Sequence, residues 1–239
     1  MMKRKIPLMF PVLTMLIGLT LQSCSVSKNN IMTDSAKEKI GLLVILKAQP
    51  GKEQAVKDFL LGGLSLVNEE AGTKSWYAFQ IDEHSFGIYD TFENEEGRQA
   101  HLSGEVAKAL LANAGDLLQD FDVKTSIQTV DLRASNLKDG QENKGLLVII
   151  KAKKGKAPAV EDFLKAGKQL VIDEPKTVSW YAIQLNDDTY AIFDTFADDS
   201  GRDAHLNGKV AASLMQNAPT ILEDFEAQAI QKIDILASK

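Results

Sequence analysis

Cysteine is almost missing from this chain: Cys24 is the only one in 239 residues. No intrachain disulfide can form, and a cysteine-cluster metal site is excluded. Histidine is nearly as scarce, with His84, His101 and His205 alone, which leaves little material for a catalytic zinc site. No basic block is present, and 27 basic against 33 acidic residues give a formal net charge of −6. Such a chain is a poor ligand for nucleic acid. Six prolines and 16 glycines are too few for a collagen-like or low-complexity sequence. The glycine-rich dinucleotide loop, the P-loop, the G-x-S-x-G elbow and the H-E-x-x-H helix are absent too. Neither a cofactor nor a metal is therefore expected.

Only one long apolar run exists, and it lies at the N-terminus. Met1-Met2-Lys3-Arg4-Lys5 is a positive start, and residues 6–21 are continuously apolar. That is short for a membrane span, which needs about 20 apolar residues, and its flanks are those of a signal peptide. It ends in Leu21-Gln22-Ser23-Cys24, which resembles the bacterial lipobox, where the cysteine thiol is acylated. Several acyl chains anchor a protein stably where one is marginal. The expectation is a lipoprotein signal peptide over 1–23, lipidation at Cys24 and a polar tether over 24–39. The protein would sit on a membrane of the cell envelope; Ser25, with no acidic cluster after it, points to the periplasm-facing outer membrane. Loss of Lys3, Arg4 and Lys5 would take the net charge to −9.

The remainder is one pattern written twice. Gly41-Leu-Leu-Val-Ile-Leu-Lys-Ala returns as Gly145-Leu-Leu-Val-Ile-Ile-Lys-Ala, 104 positions later. At that offset 42 of the 81 positions from 41 to 121 are identical without a gap. A period this long means a tandem domain and not a solenoid unit. The polar stretch 135–143 reads as a linker between a first copy over 40–134 and a second over 144–239.

Each copy predicts the same elements. Residues 42–46 form a short aliphatic run, a buried strand. Pro50-Gly51 turns the chain into a helix with Val56, Phe59, Leu60, Gly63, Leu66 and Val67 on one face. Residues 73–81 alternate, and Asp82-Glu83-His84 is a hairpin turn into a return strand over 86–92. Two helices follow, from about Asn94 and Gly104, and a strand over 121–132 closes the unit. The order βαββαβ is the α+β, ferredoxin-like arrangement, whose sheet carries helices on one face only. The bare face needs another sheet, and the second copy supplies it. Two tandem repeats packed sheet to sheet are expected, an internal pseudo-dimer that leaves further oligomerisation open.

The runs Pro50-Gly51-Lys52, Asn68-Glu69-Glu70-Ala71-Gly72-Thr73, Gly87-Ile88-Tyr89-Asp90-Thr91-Phe92 and Gly97-Arg98-Gln99-Ala100-His101-Leu102 resemble the antibiotic biosynthesis monooxygenase family. The resemblance covers both copies almost end to end. It implies a dimeric α+β barrel of the quinol monooxygenase-like kind. The usual E-P-G-T turn reads Glu70-Ala71-Gly72-Thr73 in one copy and Glu174-Pro175-Lys176-Thr177 in the other, so the two pockets should differ at their rims.

A polar and aromatic set recurs in both copies: Trp76, Asp90, Phe92, Arg98 and His101 match Trp180, Asp194, Phe196, Arg202 and His205. Asp90 and Asp194 lie on apolar strand faces, where a carboxylate needs a partner or has its pKa raised. Arg98 and His101, three apart on a helix, would face one cavity, as would Arg202 and His205. One reading makes His101, His205, Asp90 and Asp194 bases and Arg98 and Arg202 cations beside a pocket walled by Trp76, Trp180, Phe92 and Phe196. The other makes the same groups ion pairs tying helix to sheet. The resemblance implies two functions, a cofactor-independent oxygenase of a quinol or other electron-rich aromatic and a haem protein with His101 or His205 on the iron; a third reading, from a different class, is a non-catalytic binder of a small aromatic or lipophilic molecule.

Overall fold

In the computed structural model, residues 38–239 are described; the signal peptide, Cys24 and most of the tether lie outside them. The first copy runs β1 (Ile40–Lys47), α1 (Glu53–Asn68), β2 (Thr73–Gln80), β3 (Ser85–Phe92), α2 (Glu95–Leu102), α3 (Glu105–Leu117), the single turn α4 (Val123–Ser126) and β4 (Ile127–Leu137). The second runs β5 (Lys144–Lys151), α5 (Ala157–Ile172), β6 (Thr177–Gln184), β7 (Thr189–Phe196), α6 (Asp199–Leu206), α7 (Lys209–Ile221) and β8 (Ile230–Ser238). Gly51 and Gly155, at φ +80° and +75°, make the turns into α1 and α5, a backbone region that favours glycine.

The eight strands close into one antiparallel barrel in the order β1-β3-β2-β8-β5-β7-β6-β4. Each copy contributes four neighbouring strands, and the two sets face each other across the interior. Their edges join through β2 with β8 and β4 with β6, so no edge is left open. The alternation along β2 divides the side chains as its period requires. Tyr77 and Phe79 point into the barrel with Leu43, Tyr181 and Phe193, while Trp76 and Ala78 face α1 and α3 with Val56, Leu60 and Val106. Three apolar clusters result, one under the helices of each copy and one inside the barrel.

Two boundaries differ from the sequence expectation. The stretch 135–143 is not all linker: Ser135, Asn136 and Leu137 pair with Tyr181, Trp180 and Ser179 of β6. Backbone hydrogen bonds close the barrel there whatever the side chains, so polar composition gave no strand signal. The end of the supposed tether is also built in. Glu38 is buried and accepts hydrogen bonds from Ser75 Oγ and Thr91 Oγ1, both at 2.7 Å. Glu142 does the same for Ser179 and Thr195 at 2.6 and 2.7 Å. Between these carboxylates the interior carries a continuous chain, Ser75 to Tyr181 to Tyr77 to Ser179, with links of 3.0 to 3.1 Å. Among the described residues no helix is long and apolar enough to cross a membrane.

Candidate functional site

Four elements of each copy bring one polar group together. Asn94 caps α2 by accepting from Gly97 N, and Asp198 caps α6 in the same way through Gly201 N. Each cap fixes its helix so that the last turn aims His101, or His205, at the sheet. His101 Nε2 lies 3.2 Å from Asp90 Oδ2 on β3, and His101 Nδ1 lies 2.7 Å from Glu70 Oε2 in the turn after α1. Thr73 Oγ1, at the start of β2, donates to the same Glu70 oxygen at 2.7 Å. The second copy repeats this with His205 at 3.3 Å from Asp194 and 2.6 Å from Glu174, and with Thr177 donating to Glu174 at 2.8 Å.

The histidine is therefore clamped between two carboxylates. Burial opposes its charge, but the neighbouring anions outweigh that and hold His101 at about 9 and His205 at about 10. Both are imidazolium at neutral pH, and neither ring nitrogen is free. Burial raises the Asp90 and Asp194 carboxyls, with the imidazolium opposing the rise. Glu174 is also desolvated, yet its hydrogen bond from His205 leaves it below the usual carboxyl value.

Asp90 Oδ1 and Trp76 Nε1 are buried and have no hydrogen-bond partner among the described residues; Asp194 Oδ1 and Trp180 Nε1 match them. Trp76 is the direct cross-strand neighbour of Asp90, so indole and carboxylate share the helix-facing side of the sheet. Both border a cavity of about 30 Å3 with Phe59, Ile88, His101 and Val106. The second copy has one of about 20 Å3 against Asp194 and His205. Either holds a water at most one or two deep, and a larger guest must displace the aliphatic side chains of α1 and α3 or of α7.

The arginines do not join this group. Arg98 pairs with Glu95 on its own helix. Arg202 pairs with Asp199 and donates to Ile233 O at 3.1 Å and Gly145 O at 3.5 Å, tying α6 to β8 and β5. Spacing of three put arginine and histidine on one side of the helix, but the guanidinium reaches past the cavity. Phe92 and Phe196 are fully buried with their rings 5.4 Å from His101 and His205, so they back the histidines. Trp76 and Trp180 pack under the helices and not between the sheets, with Gly63 and Gly167 making room for the indoles. Sequence reasoning missed Glu70 and Glu174 as the histidines' second partners. The available signal was the E-x-x-T frame, kept in both turns although the two residues inside it changed. Among the described residues no group of three potential ligands is arranged to hold a metal ion.

No family model matches the sequence, and no curated protein does. Solved structures do. A protein from Fusobacterium nucleatum, provisionally named a monooxygenase, is 14% identical, with 84% of this chain and 94% of that chain covered and a TM-score of 0.70. An anthrone oxidase-like protein is 11% identical, with 86% and 94% covered and a TM-score of 0.58. A protein of unknown function from Nitrosomonas europaea is 44% identical over 44% of this chain and 98% of its own, with a TM-score of 0.40. The chain shares the α+β barrel fold of the Fusobacterium nucleatum and anthrone oxidase-like structures.

Proposed function

We propose that this barrel is a cofactor-independent oxygenase of a quinol or another electron-rich aromatic. The observation that carries the reading is the pair of orphaned polar atoms, Asp90 Oδ1 and Trp76 Nε1, on residues that line one apolar cavity; Asp194 Oδ1 and Trp180 Nε1 are orphaned likewise, and of those two residues Asp194 lines the second copy's cavity. A phenolic hydroxyl would satisfy both, donating to the carboxylate and accepting from the indole. Fold neighbours named as monooxygenase or anthrone oxidase-like support the reaction class.

The chemistry balances without an added reductant. A hydroquinone and dioxygen give a hydroxyquinone and water, the substrate supplying all the electrons. Triplet oxygen reacts with such a substrate only once it is a good one-electron donor, hence deprotonated. Asp90 is the base in this scheme, because its Oδ1 is free and burial has raised its affinity for a proton. His101, already protonated, is a positioning residue: it fixes Asp90 and balances its charge. The Trp76 N–H stabilises the developing oxyanion in a site that excludes water. The lipobox-like residues 21–24 support an envelope location, next to membrane quinols.

Oxygen uptake with a hydroquinone panel tests this. Saturable uptake above the autoxidation blank, lost in Asp90→Asn/Asp194→Asn, is expected. Uptake no faster than the blank would leave the second reading, a binder of a small aromatic or lipophilic molecule. The haem reading is weakened because both nitrogens of His101 and His205 are engaged by carboxylates.

A further inference from the structure

The turn after α5, the end of α6 and the start of α7 enclose an open cleft of about 320 Å3 on the outer side of His205, away from the Trp180 indole. Leu170, Pro175 and Ala204 give it apolar walls, His205 is at its floor, and Lys176 and Lys209 stand at its rim. Lys176 Nζ donates to Ser200 Oγ at 2.7 Å, which holds that cation beside the opening. Two acids also line it. Glu174 is engaged by His205 and Thr177, and Asp173 is exposed.

The first copy has the same frame and the opposite chemistry. Ala71 and Gly72 replace Pro175 and Lys176, and Glu105 replaces Lys209. Gly72 lies against Gly97, where an added methyl group would come within 3.0 Å of Gly97 Cα, so a side chain at that place would require the turn to shift by a few tenths of an ångström. Two cations in one copy thus stand where the other has a glycine and an anion. A volume near 300 Å3 with apolar walls and a few polar groups is the lower end of what small-molecule sites need.

We propose that the cleft of the second copy binds a small anionic molecule with an apolar body, of the size of one or two rings bearing a carboxylate, and that the first copy does not. The rings lie on Leu170, Pro175 and Ala204, and the carboxylate meets Lys176 and Lys209. Apart from His205 the cleft shares no lining residue with the Asp194 cavity, and its test does not depend on the oxygenase reading.

Calorimetric titration of the full chain with 2-naphthoate tests it. One saturable site per chain is expected, weakened by added salt. The neutral analogue 2-naphthylmethanol should bind about tenfold or more weakly, since it loses both cationic contacts. Lys176→Gly/Lys209→Glu installs the residues that the first copy carries and should lower naphthoate affinity by about tenfold or more. Both positions are exposed, so the barrel should survive, and Lys176→Gln/Lys209→Gln removes the charges alone with a smaller loss in the same direction. No saturable binding, two equal sites per chain, equal affinity for the neutral analogue, or unchanged affinity in both variants would each overturn the proposal.

Discussion

The two copies of the unit differ at half of their aligned positions but not in the same way everywhere. Around the histidine nothing has moved: Asp, His, Glu and Thr recur with distances that agree within 0.1 Å. Inside the barrel the changes compensate. Phe79 faces Gly87 across β2 and β3, and Ile183 faces Ala191 across β6 and β7. A larger ring is matched by a missing methyl group, a smaller side chain by a present one. At the rim the changes are unbalanced, with cations in one copy and an anion in the other. Buried charge tolerates no solo change, buried volume tolerates paired changes, and exposed charge is free to diverge.

The largest expected effects come from breaking what the copies share. His101→Ala or His205→Ala leaves two desolvated carboxylates facing each other without their cation. Each should cost about 3–5 kcal/mol in denaturant unfolding. A loss under about 1 kcal/mol from either would mean that the clamp is not formed in solution. Compensation is tested next. A methyl group on Gly87 would come within 2.2 Å of Phe79 Cζ, and that ring is fully buried. Gly87→Ala should therefore cost about 1–3 kcal/mol, and Phe79→Ile, which recreates the second copy's pair, should restore most of it. If the double variant is no better than the single one, the two positions are not coupled.

Proton affinity sharpens the comparison further. Both imidazoles are held above their unfolded value of 6.5, so the folded barrel binds those protons more tightly than the unfolded chain. The stabilisation is complete below about pH 6.5 and disappears as pH rises through about 9 for His101 and about 10 for His205. Ring resonances followed by NMR should show both imidazoles keeping their protons well above pH 6.5. Titration of either ring near 6.5 would show that the carboxylates do not hold it.

Much of this architecture was legible in the sequence. The 104-residue offset, the period-two alternation of residues 73–81 and the three-and-four spacing of α1 each report a local constraint. Asp90 was legible as an oddity, a carboxylate in line with Phe86, Ile88 and Phe92. What stayed hidden depends on parts of the chain meeting in space. Glu70 and His101 are 31 positions apart, and neither pattern nor spacing says that they touch. Nor does composition show that Ser135 and Asn136 complete a barrel, because their pairing is a matter of backbone. The course of Arg98 and Arg202 away from the cavity was hidden for another reason: a helix position fixes where a side chain starts, not where a long one ends.

The smallest predicted effect separates the tyrosines of the interior. Tyr77 and Tyr181 sit in the chain of hydroxyls that links Glu38 to Glu142, and burial raises the pKa of both phenols. Tyr89 is equally buried, but its hydroxyl has no partner among the described residues, and the second copy carries Phe193 at that place. Removing a satisfied hydroxyl loses its hydrogen bonds and orphans the neighbour, so Tyr77→Phe should cost about 1–3 kcal/mol. Removing an unsatisfied one loses nothing of that kind, so Tyr89→Phe should be neutral or stabilising by up to about 1 kcal/mol. Both are read from the urea midpoint at constant slope. A cost for Tyr89→Phe as large as that for Tyr77→Phe would mean that its hydroxyl is hydrogen-bonded in solution, and that Phe193 is not simply the same ring without a use for the oxygen.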